Sequence, residues 1–166
     1  AGECWEQLVK RQDGPSALVL TRQNVPTMDR KMHDGFGDAS RGAYVVADCQ
    51  GTPDIIVLST GSEVAASLEA TLKLQGQGVK ARLVSMPCWE LFEAQDKDWQ
   101  DRVLPAGPKR LAVEAGTSFG WSRWVGFDGA TVTLDRFGAS APAEVLFEKF
   151  GFTAANIEKV ALDLLG

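Results

Sequence analysis

The chain has 166 residues, and 17 Lys and Arg against 22 Asp and Glu leave a formal charge of −5. Hydrophobic residues make up 45% and charged residues 23%, which excludes intrinsic disorder and fits a soluble globular protein of one or two domains. The acidic balance argues against nucleic acid and against an anionic membrane surface, because both need a basic face.

Cys4, Trp5, Leu8 and Val9 share one face of an opening helix, which Gly14-Pro15 ends. Residues 16–21 (SALVLT) read as a short buried strand. Periodicity then vanishes from Arg22 to Gly42, a stretch punctuated by Gly, Pro, Asp and Asn that reads as a linker. The apolar runs at 44–47, 55–59, 81–85, 111–114 and 131–134 follow, bounded by Gly or Pro as buried strands are. Helical patterns separate most of them. The clearest covers 63–74 with Val64, Leu68 and Leu72 on one stripe and Ser62 as N-cap. Shorter helical pieces are expected at 89–95, before Pro105 and at 121–125. Residues 142–150 form a helix with Ser140 as cap and Gly151 as its stop, and Thr153 caps a last helix with Ile157, Val160, Ala161 and Leu164 on one face.

Strands alternating with helices imply an α/β layer architecture with a mostly parallel sheet. The first of the five strands is the exception. The connection 48–54 is too short for a parallel crossover, which takes a dozen or more residues, so 44–47 is expected to run antiparallel.

Few residues carry a reaction on their own account. His33, the only histidine, lies in the linker between Met32 and Asp34 and reads as a solvated loop residue. No G-x-S-x-G elbow and no paired Cys or Cys/His spacing for zinc occurs. Cys4, Cys49 and Cys88, an odd count, read as free thiols in a reducing compartment. No run approaches the ~20 apolar residues of a membrane span, and no basic-then-apolar leader opens the chain. Gly61-Ser62-Glu63 and Gly116-Thr117-Ser118 both follow strands, where free backbone N–H groups suit anions, but neither matches a nucleotide-binding fingerprint. Structural turns are the favoured reading there, with Glu63 satisfying its own donors and Glu114 either a ligand contact or a structural carboxylate. Asp135-Arg136 ties a loop down or offers an Arg for an anion. Arg22, at the end of the 16–21 run, can point into a cleft or into solvent. The chain opens at Ala1, without Met and already in helical pattern, as a piece of a longer protein does.

Six strings in register add to this reading. Gly14-Pro15-Ser16-Ala17-Leu18-Val19-Leu20-Thr21-Arg22-Gln23-Asn24-Val25-Pro26 is followed by Asp54-Ile55-Ile56-Val57-Leu58-Ser59-Thr60-Gly61-Ser62-Glu63-Val64. Val84-Ser85-Met86-Pro87-Cys88-Trp89-Glu90-Leu91-Phe92 and Ala112-Val113-Glu114-Ala115-Gly116 come next. The last are Asp135-Arg136-Phe137-Gly138-Ala139-Ser140-Ala141-Pro142 and Leu146-Phe147-Glu148-Lys149-Phe150-Gly151-Phe152-Thr153. Together they resemble the carboxyl-terminal part of a transketolase.

The resemblance implies a three-layer α/β/α fold with a five-stranded mixed sheet, first strand antiparallel. It implies the end of a pyrimidine-binding domain at 1–22, a linker at 23–42 and the carboxyl-terminal domain at 43–166. It also implies a parent enzyme, cytoplasmic and homodimeric, that moves a two-carbon ketol unit between sugar phosphates with thiamine diphosphate and a divalent cation, Mg or Ca. The family's cofactor motif, activating glutamate and substrate histidines have no match in this chain. The implied piece is therefore inactive alone and binds no cofactor itself. Its partners are the rest of the transketolase chain, a second subunit and, in the parent, a sugar phosphate. One family site residue maps here: the Arg of the R-Q-N string, a substrate phosphate contact, is Arg22. Trp121, Trp124 and the 135–142 loop are interface candidates. Two alternatives stand beside this reading: a self-standing α/β module that binds a small anion or nucleotide near Gly61 or Gly116, and the same region of a dihydroxyacetone synthase.

Overall fold

The computed structural model describes residues 1–29 and 33–166. Arg30, Lys31 and Met32, within the expected linker, lie outside the described residues. Among the described residues, six strands form one sheet: β1 (Asp34–Phe36), β2 (Tyr44–Ala47), β3 (Ile55–Ser59), β4 (Ala81–Ser85), β5 (Lys109–Val113) and β6 (Ala130–Val132), in the order β1-β2-β4-β3-β5-β6. β3, β4, β5 and β6 run parallel to one another. β2 pairs antiparallel with β4, as the short 48–54 connection requires. The expected five strands become six because β1, inside the expected linker, pairs antiparallel with β2, Asp34 opposite Ala47 and Phe36 opposite Val45.

Alternation along β3 sorts the core into two faces. Ile55 and Val57 point to one side with Leu83, Leu111 and Val113, and are covered by α2 (Val64–Gly76) and α7 (Ala154–Leu165). Ile56 and Leu58 point to the other with Val84 and Ala112. There they meet Phe92 of α3 (Trp89–Glu93), Trp99 and Val103 of α4 (Lys97–Val103), and Trp121 just before α5 (Ser122–Val125). Helices on both faces complete the three layers. α6 (Ala143–Phe150) ends at Gly151 in the left-handed conformation (φ 82°), which glycine adopts without steric cost. The Thr153 hydroxyl accepts from the Asn156 N–H at 3.3 Å and caps α7 as expected. The other two expected caps fail: Ser62 turns its hydroxyl to Glu63, and α6 starts after Pro142 without a side-chain cap, so Ser140 has no such role.

The amino-terminal part differs from its expectation. α1 (Gly2–Lys10) forms, yet Trp5 and Val9 on its apolar face are 58% and 61% exposed. Its tie to the body is the Glu3 carboxylate, which accepts from the Ala39 N–H at 3.1 Å. Residues 16–21 are not a strand, and Val19 and Leu20 are 91% and 63% exposed. The run has strand composition but no neighbouring edge to pair with among the described residues, and an unpaired strand gains nothing to offset its ordering entropy.

Candidate functional site

β3 leads through Gly61–Glu63 to α2 on one face, while β5 leads through Glu114 to α5 on the other, so the connections leaving these two neighbouring strands diverge. Open α/β sheets hold ligands or partners in the crevice at such a divergence, beyond the carboxyl ends of the strands. An open groove of about 620 Å³ lies there. Trp89 lines it over the buried Met86 and Trp121, and Val19, Leu20 and Gln23 of the amino-terminal segment run along it.

Glu63 is 4% exposed, with its carboxylate turned from its own helix toward the end of β5. It accepts from the Ser62 hydroxyl at 2.5 Å and from the Ala115 N–H at 3.2 Å. Glu63 therefore ties two loops together instead of satisfying the donors of its own turn. Burial pushes its carboxyl above the ordinary carboxylate value, and the negative Glu114 adds to this, against the two hydrogen bonds. Glu114 accepts from the Trp121 indole N–H at 2.5 Å, which in turn packs edge-on against Trp89 with centroids 4.9 Å apart. Glu90 completes the acidic lining; a hydrogen bond from its own backbone N–H, then one from the Cys88 thiol, hold its carboxyl below the ordinary value. Burial pushes the Cys88 thiol up. Among the described residues, no Lys, Arg or His lines the groove.

Folding raises the affinity of Glu63 for a proton, so its ionisation costs stability. That cost is absent well below the ordinary value of 4.5 and grows as pH rises through it. Glu63→Gln removes the cost. In urea unfolding across pH 4 to 8, the variant is expected to gain on the wild-type chain as pH rises. A constant difference between the two across that range would contradict the shift and its cause.

The other residues singled out in the sequence fall in distinct places. Arg22 is exposed, between Thr21 and Gln23 at the groove, with no ion pair among the described residues. His33 is half-buried and leads into β1; its carbonyl accepts from the Asp48 N–H at 3.0 Å. Asp135 ties the loop after β6 to the loop after β5, accepting from the Thr117 hydroxyl and the Ser118 N–H, both at 2.8 Å. Arg136 takes no part in that tie; it donates to the Phe137 carbonyl at 3.3 Å. Trp121 is fully buried in this chain's own core and Trp124 is half-buried against it, so Trp121 is not an interface residue. Phe137, in the 135–142 loop, is 95% exposed. Cys4, Cys49 and Cys88 are free. No local sequence pattern marks the contact between Glu63 and Ala115, which lie 52 residues apart.

Such a groove does not fit a small anion or a nucleotide phosphate: Gly61 and Gly116 stand beside the buried Glu63 and the half-buried Glu114, and these carboxylates repel added negative charge. Nor does it fit the diphosphate and metal of the expected cofactor, which need basic groups and a converging ligand set. Among the described residues, no three His, Cys, Asp or Glu groups come together to hold a metal ion. Among them, too, no helix is long and apolar enough to cross a membrane.

Comparison with known proteins agrees with this architecture. The family model of the transketolase-like TK C-terminal domain matches residues 42–153. The transketolase of Aquifex aeolicus is 46% identical over 160 residues, 96% of this chain and 23% of that protein. Transketolase 1 of Escherichia coli is 48% identical over 162 residues, 97% of this chain and 24% of that protein. A transketolase of Pichia stipitis, solved in complex with sedoheptulose-7-phosphate, superposes with a TM-score of 0.76 at 35% identity, over 87% of this chain and 20% of that one. The chain spans about a quarter of the length of the curated relatives it matches.

Proposed function

The chain belongs to the transketolase C-terminal domain family, and from that premise we propose that the whole protein is a transketolase, transferring a two-carbon ketol unit between ketose and aldose phosphates. Residues 43–166 are its carboxyl-terminal domain, 23–42 the linker and 1–22 the end of the preceding pyrimidine-binding domain. One observation carries the division. The layers from β2 onward close their own core, with β1 added at the edge from within 23–42, while Trp5, Val9, Val19 and Leu20 of the first 22 residues stay uncovered, as Phe119, Phe127 and Phe137 do on loops of 43–166. The exposed apolar side chains of 1–22 offer a surface to a partner. That partner is the rest of the pyrimidine-binding domain, where residues 16–21 find a sheet.

The role of this part is structural: it packs on the preceding domain and supports a homodimer in the cytoplasm. Thiamine diphosphate with a divalent cation, Mg or Ca, held elsewhere in the parent, supplies the electron sink for the transfer. In this reading the chain alone is inactive, because the family's cofactor motif, activating glutamate and substrate histidines have no match in its sequence. Arg22 holds the substrate phosphate. Its guanidinium is exposed and free of ion pairs among the described residues, and its planar fork matches a phosphate in two hydrogen bonds. A dihydroxyacetone synthase shares this region in the resemblance; substrate assays of the parent separate the two.

The test is Arg22→Ala in the parent. Losing a hydrogen bond to a charged group costs about 1.5–3 kcal/mol, so KM for phosphorylated donors is expected to rise about 10- to 100-fold. Unphosphorylated donors should be almost untouched. Equal effects on both would remove the phosphate role.

A further inference from the structure

The chain bends at Arg22 and Gln23, beside the groove at the carboxyl ends of β3 to β5. Thr21 and Gln23 both line that groove; Arg22, between them, stands outside the lining and is exposed. Gln23 is half-buried, although Arg22 and Asn24 on either side of it are exposed. The Thr21 hydroxyl donates to the Gln23 side-chain carbonyl, a bond that spans Arg22 across the bend. A bond between residues two apart narrows the backbone freedom of the residue it spans. A neutral amide suits the place. Its carbonyl takes the Thr21 hydroxyl, and its N–H groups bring donors to a groove lined by Glu63, Glu90 and Glu114.

We propose that Gln23 is a positioning residue for ketol transfer, a role that rests on the reading of Arg22 as the substrate phosphate contact. Seated in the groove and bonded to Thr21, Gln23 holds the bend from which Arg22 meets the phosphate. It touches no reacting atom and acts through Arg22. An arginine gives up rotamer freedom when its fork closes on a phosphate. Backbone that is ordered beforehand is not ordered again on binding, so less of the interaction is spent on positioning. The groove thereby gives the carboxyl-terminal domain a share in substrate recognition, through a residue of the linker.

Ketol transfer by the full-length parent, measured with phosphorylated and unphosphorylated donors, tests this. Gln23→Ala is expected to raise KM for phosphorylated donors about three- to tenfold, with kcat and the unphosphorylated donors almost unchanged. Thr21→Val removes the hydroxyl and keeps the shape, and is expected to act in the same way. Thr21→Ser keeps the hydroxyl and should keep the wild-type KM. In the Arg22→Ala background, Gln23→Ala is expected to add nothing, because a positioning residue has no effect without the group it positions. An equal loss with both kinds of donor, or an effect of full size without Arg22, would overturn the role. If Arg22→Ala discriminates between the donors and Gln23→Ala does not, the positioning role falls and the phosphate contact stands. If Arg22→Ala does not discriminate, both fall.

Discussion

Asp48→Ala is expected to lower the unfolding free energy by about 3–5 kcal/mol, the usual cost of stranding one half of a buried ion pair. Arg82, in the middle of β4, is 7% exposed. It donates to both carboxylate oxygens of Asp48, Nε to Oδ1 at 2.7 Å and Nη2 to Oδ2 at 3.1 Å. Its remaining nitrogen, Nη1, donates to the carbonyls of Arg102 and Val103 at 2.8 and 3.2 Å, closing the end of α4. Asp48 also accepts from the Cys49 N–H at 2.8 Å. Deleting the carboxylate leaves a guanidinium desolvated without its counter-charge, against a total stability of about 5–15 kcal/mol for an ordinary domain. Asp48→Asn keeps the size and one acceptor and should cost less. Urea unfolding measures both; a loss below about 1 kcal/mol for Asp48→Ala would mean that water already reaches the pair.

Gly42→Ala should be comparably severe, at about 2–5 kcal/mol from backbone strain and overpacking together. Gly42 has φ 78°, where an L side chain is strained. A Cβ there would stand 2.3 Å from the Phe92 nitrogen and 2.4 Å from the Cys88 carbonyl oxygen, both backbone atoms that cannot swing aside. Its carbonyl accepts from the Cys88 N–H at 3.1 Å, so this glycine seats α3 against the start of β2. The expected result is a marked fall in urea midpoint with loss of the Trp89 packing, read by tryptophan fluorescence. A midpoint unchanged from wild type would show that α3 can shift without cost.

The parts of this fold that could be read from the sequence are those whose cause is local. β3 and β4 are buried along their whole length, and apolar runs bounded by Gly or Pro announce them. The antiparallel β2 followed from the length of one connection. β1 was invisible, because Asp-Gly-Phe is too short and too polar to be a strand without β2 beside it. Residues 16–21 failed in the opposite way: an apolar run tells that a segment seeks cover, not whether the cover lies in the same chain. Trp121 was ambiguous because a large aromatic suits a core and an interface equally. The site was the least legible part. Glu63 is legible at a helix start, but its partner Ala115 lies on another connection, and Arg82 meets Asp48 across 34 residues. Such pairs depend on strand order, which no local pattern specifies.

The central claim is that these residues form a structural domain of a transketolase whose chemistry lies elsewhere in the parent. Ketol transfer measures it most directly, with a ketose phosphate donor, an aldose phosphate acceptor, thiamine diphosphate and Mg supplied to both the 166-residue chain and the full-length parent. The account predicts turnover by the parent and none by the chain. Turnover by the chain alone, or none by a folded, cofactor-loaded parent, would contradict it.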